Sequence, residues 1–388
     1  MKTKICLFGL SLFSGNKGCE ALAYAFLDLL QEIAQEKKLN FSIDLFQPFL
    51  TDEFPPAPKD WENLKVSMHR INHRSKIKRL ELLNSVKEAN ICFDFTEGDS
   101  FTDMYGIRRF ISQTLIKTVI IKCNTPIVLG PQTYGPFKHF FVRKWAEWIF
   151  KKSCAVFSRD EESALLVEKI AGSKLHVTTD IAMALKPYGD MLLKNGKIRI
   201  GVNISALLWN GGYTGKNQFN LTVDYKAYIE EILSKLSKTV EYEIYLIPHV
   251  IDPRNSCEDD YRLCAELKEK YANCIFLENI ENPAEIKNLI SQMDVFTGAR
   301  MHSTIAAFST GVPVIPFAYS KKFENLYNAL NYDSIINAKV VDTMTAVNLT
   351  LEYISERESL SRRVKSSFSL VIPLLDAFKK HLICLIEE

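Results

Sequence analysis

Residues 295–304 read Val-Phe-Thr-Gly-Ala-Arg-Met-His-Ser-Thr. Val295–Thr297 is apolar and β-branched enough for a short buried strand, and the apolar positions that follow predict a helix over Ser303–Thr310. Between them Gly298-Ala299-Arg300-Met301-His302 must form a strand-to-helix turn, the connection of a βα unit. Such a turn sets Arg300 and His302 at the mouth of a helix. Backbone N–H groups of Ser303 and Thr304, the positive end of the helix and the Arg300 guanidinium would together suit a phosphate or carboxylate. His302 beside that anion would serve as proton donor. The competing reading has Arg300 paired with a surface acid and His302 capping the helix.

Outward from this turn the same alternation continues in both directions. Strands are predicted near Ile198–Asn203, Tyr242–Pro248, Cys274–Leu277 and Val314–Pro316, separated by amphipathic helical stretches such as Asp224–Lys238, Glu258–Tyr271 and Pro283–Gln292. Upstream, strands near Ile5–Leu10, Ser42–Phe46, Ile91–Phe95, Ile127–Gly130, Ala155–Ser158 and Leu175–Thr178 alternate with helices at Cys19–Glu36, Lys76–Ala89, Gly106–Lys122, Lys138–Lys152 and Glu161–Ala171. Continuous apolar strands mark parallel sheets covered on both faces. A polar stretch, Lys186–Lys197, with Pro187, Gly189 and Gly196, breaks both periodicities. The expected architecture is therefore α/β, with two Rossmann-like domains, 1–190 and 191–342, facing across a cleft, and a strand-free helical tail over 343–388. Ligands of open α/β sheets gather at the carboxyl ends of the strands.

With 388 residues, 47% hydrophobic and 24% charged, the chain has the composition of an ordinary globular protein rather than a disordered one. Forty-eight Lys and Arg against 46 Asp and Glu leave a net charge of +2, so no global field of the kind a nucleic-acid binder carries is present. Nine cysteines, odd in number and never spaced CxxC, read as reduced thiols and a cytoplasmic setting. Lys2, Lys4 and the apolar Ile5–Leu10 could pass for a signal peptide. The glycine-containing loop and amphipathic helix directly after them favour a first strand instead. No apolar run approaches the ~18 residues of a membrane span.

Several other segments fall at strand ends. Asn16-Lys17-Gly18-Cys19-Glu20 lies in the first βα turn but has neither GxGxxG nor Walker spacing. Its Glu20 either favours the helix dipole or contacts substrate. Glu97-Gly98-Asp99-Ser100 supplies carboxylates and hydroxyls suited to a polyol. Arg159 adds a cation, and Asp160 beside it suits a helix cap. His249 follows the strand near Tyr242–Pro248, and Lys321 opens the helix after Val314–Pro316, where it would either close on the same anion as Arg300 or remain solvated. Lys138–Lys152 is aromatic, amphipathic and basic. Its stripe of Phe141, Trp145 and Trp148 is either core or the face of a peripheral contact with an anionic membrane, an idea the second basic cluster at His69–Arg79 supports. No His, Cys or Asp cluster has metal-ligand spacing, so chelation is expected to leave any activity intact.

Taken together, Asn16–Glu20, Gly98-Asp99-Ser100-Phe101, Gly130-Pro131-Gln132-Thr133-Tyr134-Gly135-Pro136, Ser158-Arg159-Asp160, Asp180-Ile181-Ala182, Pro248-His249 and Arg300-Met301-His302 with Gly311-Val312-Pro313 resemble the polysaccharide pyruvyl transferase family. The resemblance implies a GT-B-like fold and transfer of pyruvate from phosphoenolpyruvate to a sugar as a ketal, without a further cofactor. It also implies an acceptor side in the N-terminal domain, a phosphoenolpyruvate side in the C-terminal domain, and a glycan or lipid-linked glycan as acceptor. Donor binding falls on Arg159, Arg300 and His302, and Met301, Ser303, Thr304, Lys321, Asn16 and His249 are further candidate substrate contacts. His302 is the expected acid, and Glu20, Asp99 or His249 would take protons from the acceptor. Members commonly carry Gly-Asp where this chain has Gly18-Cys19-Glu20. The alternatives are a nucleotide-sugar glycosyltransferase and a non-catalytic subunit of a polysaccharide assembly complex.

Overall fold

The computed structural model describes residues 3–48, 53–55, 59–172, 175–279 and 282–387. Among them the chain forms two compact units. The first comprises residues 1–13, 22–181 and 373–388, and the second residues 14–21 and 182–372.

The first unit is built on β1 (Thr3–Phe8), α1 (Lys17–Lys37, its first turn grouped with the second unit), β2 (Phe41–Gln47), β3 (Leu64–Arg70), α2 (Lys76–Glu88), β4 (Ile91–Asp94), α3 (Ile107–Lys122), β5 (Ile127–Gln132), α4 (Phe140–Lys152), β6 (Ala155–Ser158), α5 (Glu161–Ala171) and β7 (Leu175–Val177). Its parallel sheet has the order β3-β2-β1-β4-β5-β6-β7. Strand order reverses between β1 and β4, the place where ligands of such sheets bind. Ile5–Phe8, Ile43, Leu45 and Ile91–Phe93 are buried without alternation because helices cover both sheet faces. One layer of that cover centres on Phe101, which stacks on Phe110 and meets Tyr134, Phe137 and Phe150 edge-on.

The second unit repeats the plan with β8 (Ile198–Asn203), α6 (Ala206–Trp209), α7 (Tyr225–Leu236), β9 (Tyr242–Leu246), α8 (Asp260–Lys270), β10 (Cys274–Phe276), α9 (Pro283–Ser291), β11 (Val295–Gly298), α10 (Met301–Ser309), β12 (Val314–Ala318), α11 (Lys321–Ala329) and β13 (Ile336–Asn337), then α12 (Thr343–Ser355) and α13 (Arg357–Phe368). The parallel order β10-β9-β8-β11-β12-β13 puts the reversal between β8 and β11. A last helix, α14 (Val371–Glu387), packs into the first unit through Phe378 against Phe157, with Lys379 between Glu32 and Glu36.

Leu64–Arg70 is an edge strand, where the basic cluster suggested surface, and His69 is tied to Asp44 at 3.2 Å and Glu81 at 2.7 Å. Helix α10 begins at Met301 rather than Ser303, because Arg300 adopts an extended backbone and acts as its N-cap residue.

Candidate functional site

In the second unit the polar groups collect at the carboxyl ends of β8, β9 and β11, around the reversal of strand order. Asn203 ends β8 and is almost fully buried. Its Oδ1 accepts from Arg300 N at 2.9 Å and Ser303 Oγ at 3.0 Å, and its Nδ2 donates to Ile247 O at 2.9 Å. One amide thus joins the ends of three strands.

Arg300 turns inward. Its Nη2 and Nε donate to the two oxygens of Asp260 at 2.8 and 3.1 Å, and Nη2 also reaches Glu258 O at 2.9 Å. Asp260 has no solvent exposure and accepts in addition from Ala206 N at 2.8 Å and Val250 N at 3.0 Å. Burial opposes the guanidinium charge, but Asp260 more than offsets it and holds the arginine pKa above its ordinary value. The expected surface pairing is therefore a buried bidentate pair. Only the Nη1 edge, 3.6 Å from Glu258 Oε2, lies away from Asp260.

Ser303 and Thr304 correct the expectation about the helix mouth. Both are wholly buried, and their N–H groups donate to Arg300 O at 3.1 and 3.2 Å. Their hydroxyls are consumed too, Ser303 on Asn203 and Arg300 O, Thr304 on Met301 O. Since the helix starts two residues earlier, Met301 and His302 occupy its first two positions. Lys321 is solvent-exposed at the start of α11.

The first turn of α1 joins this cluster. Asn16 bridges to Val250 and caps the helix, its Oδ1 accepting from Gly18 N at 3.0 Å and Cys19 N at 3.4 Å. Lys17 N donates to His249 O at 3.0 Å. Glu20 is buried and spends one oxygen on Gly15 N at 2.8 Å and the other on Lys17 Nζ at 2.9 Å. Burial raises its pKa against the pull of Lys17. Its oxygens hold the loop, so the proton-accepting role expected of Glu20 would require breaking that loop.

Gly18 explains how His302 is placed. A Cβ at residue 18 would lie 2.3 Å from His302 Nδ1 and 2.8 Å from His302 Cβ, closer than any side chain tolerates. The ring therefore rests on the bare backbone of α1. Gly18→Ala is expected to displace the imidazole and cost about 1–3 kcal/mol through overpacking. Denaturation midpoints, with ligand affinity measured alongside, check this, and an alanine variant of wild-type stability and affinity contradicts it.

His249 is buried, and its pKa is driven well below the ordinary value by burial first, then by His302, Arg300 and Lys17. It is neutral at pH 7. Between its lowered folded pKa and the ordinary 6.5, the unfolded chain binds the extra proton, so stability must fall as pH drops below about 6.5. Glu20, with a raised pKa, works in the opposite sense nearer its ordinary 4.5. Denaturation between pH 8 and 5 should show a shallower pH slope in His249→Gln than in the parent. Equal slopes would remove His249 from the account.

In the first unit, the loop after β4 carries three successive residues with positive φ, Thr96 at 44°, Glu97 at 56° and Gly98 at 83°. Strain of this kind persists only where surroundings impose it. Here Thr96 donates its hydroxyl to Asp94, and Asp94 pairs with Lys117 at 2.8 Å, both side chains being wholly buried. Gly98 O accepts from Thr133 N at 2.8 Å. The turn presents Asp99, half-buried, with Tyr105 donating to its Oδ2 at 3.2 Å. Arg159 follows β6 and is buried, its Nη1 on Asp180 at 2.7 Å and its Nε on Thr133 Oγ1 at 2.9 Å. Burial works against its charge, and Asp180, Asp99 and Asp160 outweigh burial and raise its pKa. Asp160 caps α5 through Ser163 N at 2.8 Å.

Of the expected residues, Asn16, Glu20, His249, Arg300, Met301 and His302 cluster in the second unit, while Asp99 and Arg159 share a strand-end cluster in the first. Asn203, Asp260, Lys17 and the Asp94–Lys117 pair were not assigned from sequence. A buried arginine at a strand end demands a carboxylate, and that demand is the signal that would have pointed to Asp260.

The family model for polysaccharide pyruvyl transferase matches residues 16–321, most of the chain. No curated protein matches at a significant level. Among solved structures, a Listeria monocytogenes protein described as a UDP-N-acetylglucosamine 2-epimerase is 14% identical, with a TM-score of 0.59 over 98% of this chain and 97% of the other. The E. coli trehalose-6-phosphate structure bound with UDP-2-fluoro glucose gives 0.58 at 9% identity over 100% and 99%. A Neisseria meningitidis UDP-GlcNAc 2-epimerase bound to UDP-GlcNAc gives 0.55 at 12% identity over 97% and 99%. At these identities the likeness concerns the fold, which is of the GT-B type.

Proposed function

Because the chain belongs to the polysaccharide pyruvyl transferase family, we propose that it moves pyruvate from phosphoenolpyruvate onto two hydroxyls of a sugar in a polysaccharide or its lipid-linked precursor, forming a cyclic ketal. The observation that carries this reading is the strand-end cluster of the second unit, where the Arg300-Met301-His302 start of α10 meets Lys17 and Gly18 of α1. A donor with both a carboxylate and a phosphate would be met there by the Nη1 edge of Arg300 and the N-terminal turn of α10.

Proton transfer from His302 to the methylene carbon of phosphoenolpyruvate leaves a cation at C2, which one sugar hydroxyl attacks with loss of its proton. Cleavage of the C2–O bond releases phosphate and regenerates the cation. The second hydroxyl then closes the ring and gives up its own proton. His249, neutral but buried, is the group proposed to accept protons from the acceptor.

Thermal-shift and calorimetric titration with phosphoenolpyruvate, set against UDP- and GDP-sugars, tests the donor. Stabilisation by phosphoenolpyruvate alone is expected, and stabilisation by a nucleotide sugar alone would transfer the reading to glycosyl transfer. Arg159→Lys, which keeps a charge opposite Asp180, reads in the same titration whether Arg159 meets the donor. Glycans recovered from a deletion strain should lack the mass of the ketal.

Among the described residues no helix is long and apolar enough to cross a membrane. A lipid-linked acceptor calls for peripheral attachment, and α4 is the proposed surface. Trp145 is not its lipid-facing residue: it packs edge-on against Phe110 and donates to Thr118 Oγ1 at 3.0 Å. Phe140 and Phe141 are the exposed rings, 77% and 48% accessible, beside exposed Lys138, Arg143 and Lys144. Salt-sensitive sedimentation with anionic vesicles should weaken in Phe140→Ser and Phe141→Ser. Trp145→Ala should instead cost ~3 kcal/mol of stability. Equal vesicle binding by all variants would reject this surface.

A further inference from the structure

Arg300 faces two carboxylates. Asp260, wholly buried, takes its Nε and Nη2, and Glu258 stands at the third nitrogen, its Oε2 lying 3.6 Å from Nη1. Lys17, the other cation of the cluster, is matched by Glu20 at 2.9 Å. Two cations thus stand among three carboxylates. Two of those acids are locked by further bonds, Asp260 by Ala206 N and Val250 N, and Glu20 by Gly15 N. Glu258 is held differently. Its side chain is 17% exposed, its contact with Nη1 is too long for a hydrogen bond, and its Oε1 accepts from the hydroxyl of Tyr213, itself an exposed residue.

The unequal hold matters because Nη1 is the guanidinium nitrogen that Asp260 leaves over. An anion aimed at that edge meets a carboxylate already beside it. Like charges a few ångströms apart in a partly desolvated place repel about as strongly as a charge-assisted hydrogen bond attracts, so the two cannot share the edge. Displacing Asp260 would strand a charge away from water. Displacing Glu258 breaks only a long ion pair and a hydrogen bond to an exposed tyrosine, and both are contacts that solvent can replace.

We infer that Glu258 is a placeholder on the open edge of Arg300, a carboxylate that competes with an incoming anion for Nη1 and so lowers the affinity of the site for its donor. An anion is held only if its remaining contacts, such as a second charged group on the first turn of α10, offset the displacement of Glu258, and weakly held monoanions are turned away. The inference rests on the transferase reading for the identity of the donor alone, since competition at Nη1 applies to any anion that lands there.

The test is calorimetric titration of the parent and of Glu258→Gln, which keeps the shape of the side chain and removes its charge, at about pH 8, where the carboxylates are ionised. Phosphoenolpyruvate, inorganic phosphate and UDP-glucose are the probes. Glu258→Gln is expected to bind phosphoenolpyruvate at least about fivefold more tightly than the parent. A residue that merely held its loop in place would lose affinity on replacement, so damage to the fold cannot imitate this gain. Melting curves serve as the folding control, and Glu258→Ala repeats the measurement should the glutamine variant not fold. Equal or weaker binding of every probe in a folded variant, absence of binding included, would overturn the inference. If phosphoenolpyruvate binds the parent and the variant alike, the placeholder fails and the donor reading stands. If phosphoenolpyruvate binds neither while phosphate or UDP-glucose gains in the variant, the donor reading fails and the placeholder stands.

Discussion

Replacing Arg300 by alanine is expected to cost the second unit about 3–5 kcal/mol of stability, because the change strands Asp260 as an unpaired charge with no access to water. Asp260 would keep its contacts from Ala206 N and Val250 N, which limits the loss without matching a bidentate guanidinium. Arg300→Lys supplies one ammonium for two contacts and should lose roughly 1.5–3 kcal/mol, the worth of a charge-assisted hydrogen bond. The order parent, lysine, alanine in urea midpoints is therefore the first expected result. Loss of phosphoenolpyruvate binding is the second, and it must be read in conditions where each variant remains folded. The sequence alone suggested a guanidinium waiting for an anion. In the structure two of its nitrogens are already engaged, so a donor would meet the Nη1 edge and the first turn of α10 instead. An alanine variant as stable as the parent, but unable to bind phosphoenolpyruvate, would make Arg300 a ligand group and deny the Asp260 pair its structural weight.

The α/β order was legible because parallel strands covered on both faces must be apolar without interruption, as Ile91-Cys92-Phe93 and Val295-Phe296-Thr297 are. What escaped had a different polarity. Leu64-Lys-Val-Ser-Met-His-Arg70 belongs to an edge strand, where burial is partial and polar side chains are tolerated, so its basic end reads as surface. Ile336-Asn337 is too short to leave any period.

Site residues divided along a similar line. Types of residue at strand ends were readable from order and spacing, which is why Arg300, His302, Arg159 and Asp99 could be singled out. Pairings were not, since Arg300 and Asp260 lie 40 positions apart and Glu258-Asp259-Asp260 looks like a solvated acidic run. The helix start was misjudged for a backbone reason: Arg300 takes an extended conformation, φ −94° and ψ 123°, so helical geometry begins with Met301 and carries Ser303 and Thr304 into the core. Lys117, in the middle of a helix with other lysines and arginines, gave no sign that it alone faces inward to Asp94.

His302→Asn is expected to lower turnover about 10²–10⁴-fold, the usual share of general acid catalysis, while phosphoenolpyruvate binding changes little. Three features single out His302 for the proton. It stands in the first turn of α10, where the helix dipole favours the anionic donor. Its ring is set by contact with Gly18, so its position does not depend on a flexible partner. The only other imidazole in the cluster, His249, is kept neutral by burial and by the surrounding cations, and a neutral imidazole has no proton to spare for carbon. Asparagine reaches roughly as far as Nδ1 and can hydrogen-bond, but it cannot protonate a methylene carbon at neutral pH. Single-turnover measurements with saturating donor separate this loss from binding, and His249→Gln provides the contrast: it should shift the pH dependence of stability and slow deprotonation of the acceptor, while proton transfer to the donor still occurs. Turnover within a few-fold of the parent in His302→Asn would contradict the assignment.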